Sequence, residues 1–138
     1  MAHSYRWLYW TDYGTVAKIE RASMDGSSRT TLHNTGLTTP IGLTLDYATQ
    51  TLFWIDQTLD RLERSSADGS NRVLMTTLNI QAPYGITYFG GKLYWTDYSR
   101  DQILSTFVSS PASVSTVVST SGDPYRIQFI SEERQPYG

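Results

Sequence analysis

A chain of 138 residues has room for one domain with one sizeable core. Its 11 Lys and Arg against 13 Asp and Glu leave a net charge of −2, with no basic stripe for nucleic acid and no segment suited to a membrane surface, so neither is expected as a partner. The absence of cysteine excludes disulfide frameworks and Cys-based metal sites, and no run reaches the roughly 18 apolar residues of a membrane span.

Ten Tyr, four Trp and four Phe among many Ser and Thr point to an all-β chain. Residues 1–6 read as an expression leader and lead-in, since Met1-Ala2-His3-Ser4 has no apolar signal-peptide core. Residues 7–130 read as the folded unit and 131–138 as a C-terminal tail.

The first predicted strand is Trp7 to Asp12, whose alternation sends Tyr9 and Thr11 to one face and Leu8, Trp10 and Asp12 to the other. Lys18-Ile19-Glu20-Arg21 follows as its neighbour, Asp25-Gly26-Ser27 as a tight hairpin and Arg29-Thr30-Thr31-Leu32 as a third strand. A Pro-led strand, Pro40-Ile41-Gly42-Leu43, then precedes Leu52-Phe53-Trp54-Ile55-Asp56, Arg61-Leu62-Glu63-Arg64, the Asp68-Gly69-Ser70 hairpin and Arg72-Val73-Leu74-Met75. A second, Pro83-Tyr84-Gly85-Ile86, precedes Leu93-Tyr94-Trp95-Thr96-Asp97, and a third, Pro124-Tyr125-Arg126-Ile127, closes the pattern. The last repeat departs from the others. Ile103-Leu104-Ser105-Thr106 replaces the Ile-Glu-Arg stretch and Ser109-Ser110-Pro111 replaces Asp-Gly-Ser, which gives that hairpin another shape, while Val108, Val114, Val117 and Val118 still supply strand formers.

Trp10 and Trp54 are 44 positions apart, and Trp54 and Trp95 are 41 apart. A period in the low forties carried by short strands is that of a four-stranded propeller blade. With strands lettered A to D from channel to rim, the Pro-led segments are A and the Trp segments B. The chain then opens with B, C and D, contains two full A-to-D passages and ends on an orphan A, which makes three blades of strands. The loops from B to C and from D to A share one end of the blades, the top. Trp10, Trp54 and Trp95 supply blade-to-blade packing, and Asp12, Asp56 and Asp97 end strand B where a carboxylate accepts backbone N–H bonds or pairs with Arg. These six repeat in every blade and are therefore assigned to structure. His33 has no partner at a ligand spacing and reads as a surface imidazole. No phosphate-cradling loop, nucleophile arrangement or calcium loop is present, so no enzyme activity, metal or cofactor is expected.

From about Trp7 to Phe129, the Tyr-Trp-Thr-Asp motif, the Pro-Tyr-Gly-Ile strand before it and the Ile-Glu-Arg…Met-Asp-Gly-Ser stretch after it resemble the class B (YWTD) repeats of lipoprotein-receptor-related proteins. Arg134-Gln135-Pro136 resembles the segment that leads from such a propeller into an epidermal-growth-factor-like module. The resemblance implies an all-β, six-bladed propeller in an extracellular protein or the ectodomain of a membrane receptor. It also implies protein or peptide ligands on the top face around the channel mouth, which falls here on Tyr13, Tyr84, Tyr98, Arg100, Tyr125 and Arg126. Arg126 stands where the other Pro-led strands carry Gly42 and Gly85, and it either binds an acidic ligand group or pairs with a nearby carboxylate. Three blades are half of six, so a homodimer is expected, closed by Trp7, Tyr9, Tyr125, Ile127 and Phe129. Two other functions stay open at this point. One is an architectural or engineered half-propeller without a ligand. The other is a propeller hydrolase or lactonase with a channel metal, for which the strand A segments offer only Asp46.

Overall fold

The computed structural model describes residues 6–130, and both the leader reading, apart from Arg6, and the tail reading lie outside them. Eleven strands form: β1 Trp7–Asp12, β2 Lys18–Ser23, β3 Thr30–His33, β4 Pro40–Asp46, β5 Thr51–Asp56, β6 Arg61–Ser66, β7 Val73–Thr76, β8 Pro83–Phe89, β9 Lys92–Asp97, β10 Gln102–Phe107 and β11 Ser110–Ser119. They make three antiparallel sheets, a three-stranded β1-β2-β3, a four-stranded β4-β5-β6-β7 and a four-stranded β8-β9-β10-β11. These are successive blades, the first of which lacks an innermost strand among the described residues.

Alternation along the Trp strands builds the core between the sheets. Ile19 of the first blade meets Leu52 and Trp54 of the second, and Tyr9 packs against the same cluster. From the other face of the second blade, Phe53, Ile55 and Leu62 meet Ile86, Leu93, Trp95 and Leu104 of the third. Trp54 and Trp95 are wholly buried, and such rings each remove on the order of 150–250 Å² from water. The strands nearest the channel approach very closely. A Cβ on Gly42 would lie 3.1 Å from the Tyr84 carbonyl oxygen, and one on Gly85 would lie 2.9 Å from that of Tyr125. Glycine is required there by space.

Segment 124–130 belongs to no sheet, yet it lies along β8 as β8 lies along β4. The Thr44 hydroxyl accepts the Tyr88 N–H at 3.2 Å, and the Thr87 hydroxyl accepts the Phe129 N–H at 3.3 Å. Tyr88 and Phe129 stand five residues after Pro83 and Pro124, so the relationship is the same step of the repeat. The segment therefore occupies the place of a next blade's innermost strand without the rest of that blade.

Two expectations about turns need correction. The Asp-Gly pairs do not make tight hairpins, because residues 24–29 and 67–72 span the gaps between the strands. Gly26 N–H bonds the Ser23 carbonyl at 2.8 Å and Gly26 has φ of +88°, so Asp25-Gly26 fills the last two places of a four-residue turn. The Asp25 carboxylate bonds the Ser27 N–H and hydroxyl, and Asp68 does the same for Ser70. In the third blade the connection is the short one, Val108 and Ser109 alone between β10 and β11. Val108 thus lies in a turn, though it still packs on the core.

Candidate recognition groove

The channel side of the three blades is a groove of 750 Å³. Its floor is β4 and β8, one wall is Tyr9 to Thr11 with Tyr13, and the other is Arg126 to Gln128. Of the residues assigned to a ligand from sequence, Tyr13, Tyr84 and Arg126 line it. Tyr13 is 60% exposed and Arg126 is exposed. Tyr125 sits at the top end, edge-on to Tyr84 at 5.2 Å and tilted against Tyr98 at 5.7 Å, so three tyrosines form one aromatic cluster. Gln57, which was not among the residues assigned to a ligand, joins them: its amide donates to the Pro83 carbonyl at 3.2 Å and to the Tyr98 hydroxyl at 3.3 Å.

Arg100 lies outside the groove and is committed elsewhere. Its Nε donates to Asp97, and Nη2 donates to the Asn79 carbonyl at 2.9 Å, which fastens the loop between the second and third blades. Buried Asp97 also accepts the N–H and hydroxyl of Ser99. Burial alone would raise its carboxyl pKa, but these bonds, Arg100 foremost, outweigh it and hold the pKa below the ordinary value. Asp56 accepts four backbone N–H groups, from Thr38, Thr39, Thr58 and Leu59, and so ties the loop entering its blade to the turn leaving β5. Asp12 accepts the Gly14 N–H at 2.9 Å within its own turn.

The Trp strands carry a second repeated device. Trp10 Nε1 donates to Glu20 at 3.2 Å and Trp54 Nε1 to Glu63 at 3.3 Å, while Arg29 and Arg72 bond the same carboxylates and lie over the same indoles at 5.6 and 5.4 Å. In the third blade Leu104 stands in the glutamate's place, and Trp95 Nε1 has no partner among the described residues. Sequence had marked that stretch as divergent but not its consequence for the indole.

His33 is not a surface imidazole. It is 7% exposed, its Nε2 is 2.9 Å from the Ser65 hydroxyl, and its ring packs on Trp54 at 4.8 Å. The repeat curls the rim strand of the first blade onto the second, which buries the ring. Burial, then the Arg72 charge, hold its pKa below the ordinary value against the opposing pull of Glu63. Among the described residues no group of three or more His, Asp or Glu could hold a metal, and no helix is long and apolar enough to cross a membrane.

Both ends of the blade series are uncovered. Leu8 is 48% exposed, whereas Leu52 and Leu93 in the same place are fully buried. Trp10 and Asp12 are half-buried, against full burial of their counterparts in the second and third blades. At the other end Tyr94 and Ile103 are half-buried, and Tyr125, Phe129 and Ile130 are 50%, 41% and 71% exposed. Ile127 is half-buried, and Phe129 stacks on Phe89 at 3.7 Å. At the first end, Trp7 is half-buried beneath the Arg21 guanidinium at 4.0 Å.

The sequence profile for low-density lipoprotein receptor repeat class B matches residues 6–47 and 50–88. Low-density lipoprotein receptor-related protein 5 of Mus musculus is 37% identical over 98 residues, 70% of this chain and 6% of that protein. The vitellogenin receptor of Solenopsis invicta is 30% identical over 96 residues, 70% of this chain and 5% of that receptor. Among solved structures, a chain of the nidogen/laminin complex superposes with a TM-score of 0.76 at 28% identity, covering 87% of this chain and 46% of that one. A gluconolactonase of Xanthomonas campestris superposes with a TM-score of 0.74 at 16% identity, which shows shared fold alone, again over 48% of its length.

Proposed function

Since this chain belongs to the low-density lipoprotein receptor class B repeat family of YWTD β-propellers, we propose that it is an extracellular protein- or peptide-binding module whose working ring is two copies of the chain, and that it acts by binding rather than catalysis. The observation that carries the ring is the pair of uncovered ends. Each end has apolar positions that are more exposed than counterparts facing a neighbouring blade, Leu8 against Leu52 at one end and Tyr94 and Ile103 against Phe53 and Leu62 at the other. Among the described residues the first blade lacks an innermost strand, and segment 124–130 stands in the place of an innermost strand without the rest of a blade. Two copies about a twofold axis along the channel supply each to the other, with Trp7 and Tyr9 of one beside Tyr125, Ile127 and Phe129 of the next. Coverage of 46% of the nidogen/laminin chain supports the same arithmetic.

Recognition is assigned to the top of the groove, at Tyr13, Tyr84, Tyr98, Tyr125 and Arg126, because Tyr and Arg are the side chains that most often anchor interfaces. The Asp97 and Asn79 bonds of Arg100 give it a supporting part. Sedimentation equilibrium tests the ring: a mass of twice 15.6 kDa is expected, and a folded single chain at micromolar concentration would remove it. Ligand footprints test the face. Protection confined to the Asp-Gly turns at the opposite end would overturn the assignment.

A further inference from the structure

We infer that the groove carries an anion subsite at Arg126 that takes the carboxylate of an acidic side chain on a docking peptide. The inference rests on the recognition reading and not on the two-copy ring. Arg126 holds the place of Gly42 and Gly85, two residues after the proline of each innermost strand. At those glycines a Cβ would meet the next strand's carbonyl oxygen at 3.1 and 2.9 Å. Arg126 carries a full side chain at the third such place, and there it is exposed and lines the groove.

The charge around it is one-sided. Among the described residues, Arg126 is the only charged residue lining the groove, and no carboxylate or carbonyl accepts from its guanidinium. By contrast Arg29, Arg72 and Arg100 are each bonded to a carboxylate, Glu20, Glu63 and Asp97. Its guanidinium thus has no acceptor among the described residues, and a ligand can supply the anion. Thr44 and Thr87 on the groove floor accept backbone N–H bonds and keep their hydroxyl protons to donate. A guanidinium fork beside neutral donors suits a carboxylate held by two parallel bonds.

The test is titration of ¹⁵N-labelled protein with an acetylated Gly-Glu-Gly amide and its Gly-Gln-Gly counterpart, read at the Arg126 Nε–Hε and at the Gly42 and Gly85 amides. The Glu peptide should shift all three and bind about tenfold more tightly than the Gln peptide, as the loss of one charge-assisted pair implies. Arg126→Gln, and Arg126→Gly, which restores the residue of the other two strands, should abolish that preference with an unchanged denaturation midpoint, whereas Arg64→Gln keeps it. Equal binding of both peptides in the groove, or a preference that survives in both Arg126 variants, would overturn the subsite and spare the recognition reading. Absence of any shift with either peptide would overturn both. Inorganic phosphate that displaces the Glu peptide supports the subsite, since it competes for the same fork.

Discussion

Leu8 and Leu52 hold the same place in successive Trp strands, yet Leu8 is 48% exposed and Leu52 is fully buried. The difference lies only in what stands beside them. Leu52 has Ile19 and the first blade against it, while Leu8 faces the side on which this chain has no blade. Leu8→Glu should therefore leave the single chain folded and convert a two-chain particle to one chain, whereas Leu52→Glu should unfold it. Sedimentation of both variants decides the matter. A Leu8→Glu protein that still sediments as two chains would sink the ring.

The three tryptophans differ in what covers them, so their substitutions should differ in cost. Trp54→Ala and Trp95→Ala each empty a fully buried site, at roughly 3–5 kcal/mol, while the cost of Trp10→Ala should grow with protein concentration as a second copy covers it. Phenylalanine separates the first two. Trp54→Phe gives up a bond to Glu63, but Trp95→Phe removes an indole N–H that has no acceptor, so it should cost less by about 1 kcal/mol. Urea midpoints in the reverse order would show that Trp95 has an acceptor after all.

What the sequence made legible is what the repeat states more than once. The Trp strands, the Pro-led strands and the structural aspartates each recur, so period and alternation locate them without any distant contact. His33 was misread because its environment comes from Ser65 and Trp54, 32 and 21 positions on, and no local pattern announces them. The Asp-Gly turns were misread because the dipeptide fits two places in a turn, and Asp25 and Asp68 settle the choice by bonding the serines that follow. Arg100 looked available because its partners are a turn carboxylate and a loop carbonyl, neither visible in strand alternation.

His33 makes the stability depend on pH in the mildly acidic range. Its folded pKa lies below the ordinary 6.5, chiefly through burial, so the unfolded chain binds the proton first as pH falls. The contribution is complete above 6.5 and declines as pH drops from there through the folded pKa. Urea midpoints should fall between pH 7 and about pH 5, above the range where carboxylates titrate, and His33→Gln should flatten that slope. An unchanged slope in the variant would assign the effect to another group.

The last prediction concerns two threonines that grip one segment from opposite sides. The buried Thr96 hydroxyl accepts the Gly85 N–H at 2.9 Å and donates to the Tyr125 carbonyl at 2.8 Å, tying an innermost strand to the one that follows. Thr11 holds the same place in β1, while the second blade has Ile55 there and no hydroxyl. The threonine thus occurs only in the two blades that border the open ends, and the paired bonds are formed in the third blade. In a two-copy ring Thr11 would accept the Arg126 N–H of the second copy and donate to the Ile41 carbonyl of its own chain. The exchanged segment would then be held at Tyr125 by its own chain and at Arg126 by the other. Thr96→Val should lower stability at every protein concentration, because it leaves the Gly85 N–H without its acceptor, at roughly 1–3 kcal/mol. Thr11→Val should leave the single chain intact and weaken association, with both seams affected. Sedimentation over a dilution series separates the two. If Thr11→Val dissociates at the same concentration as the unaltered protein, segment 124–130 does not complete the first blade of a second copy.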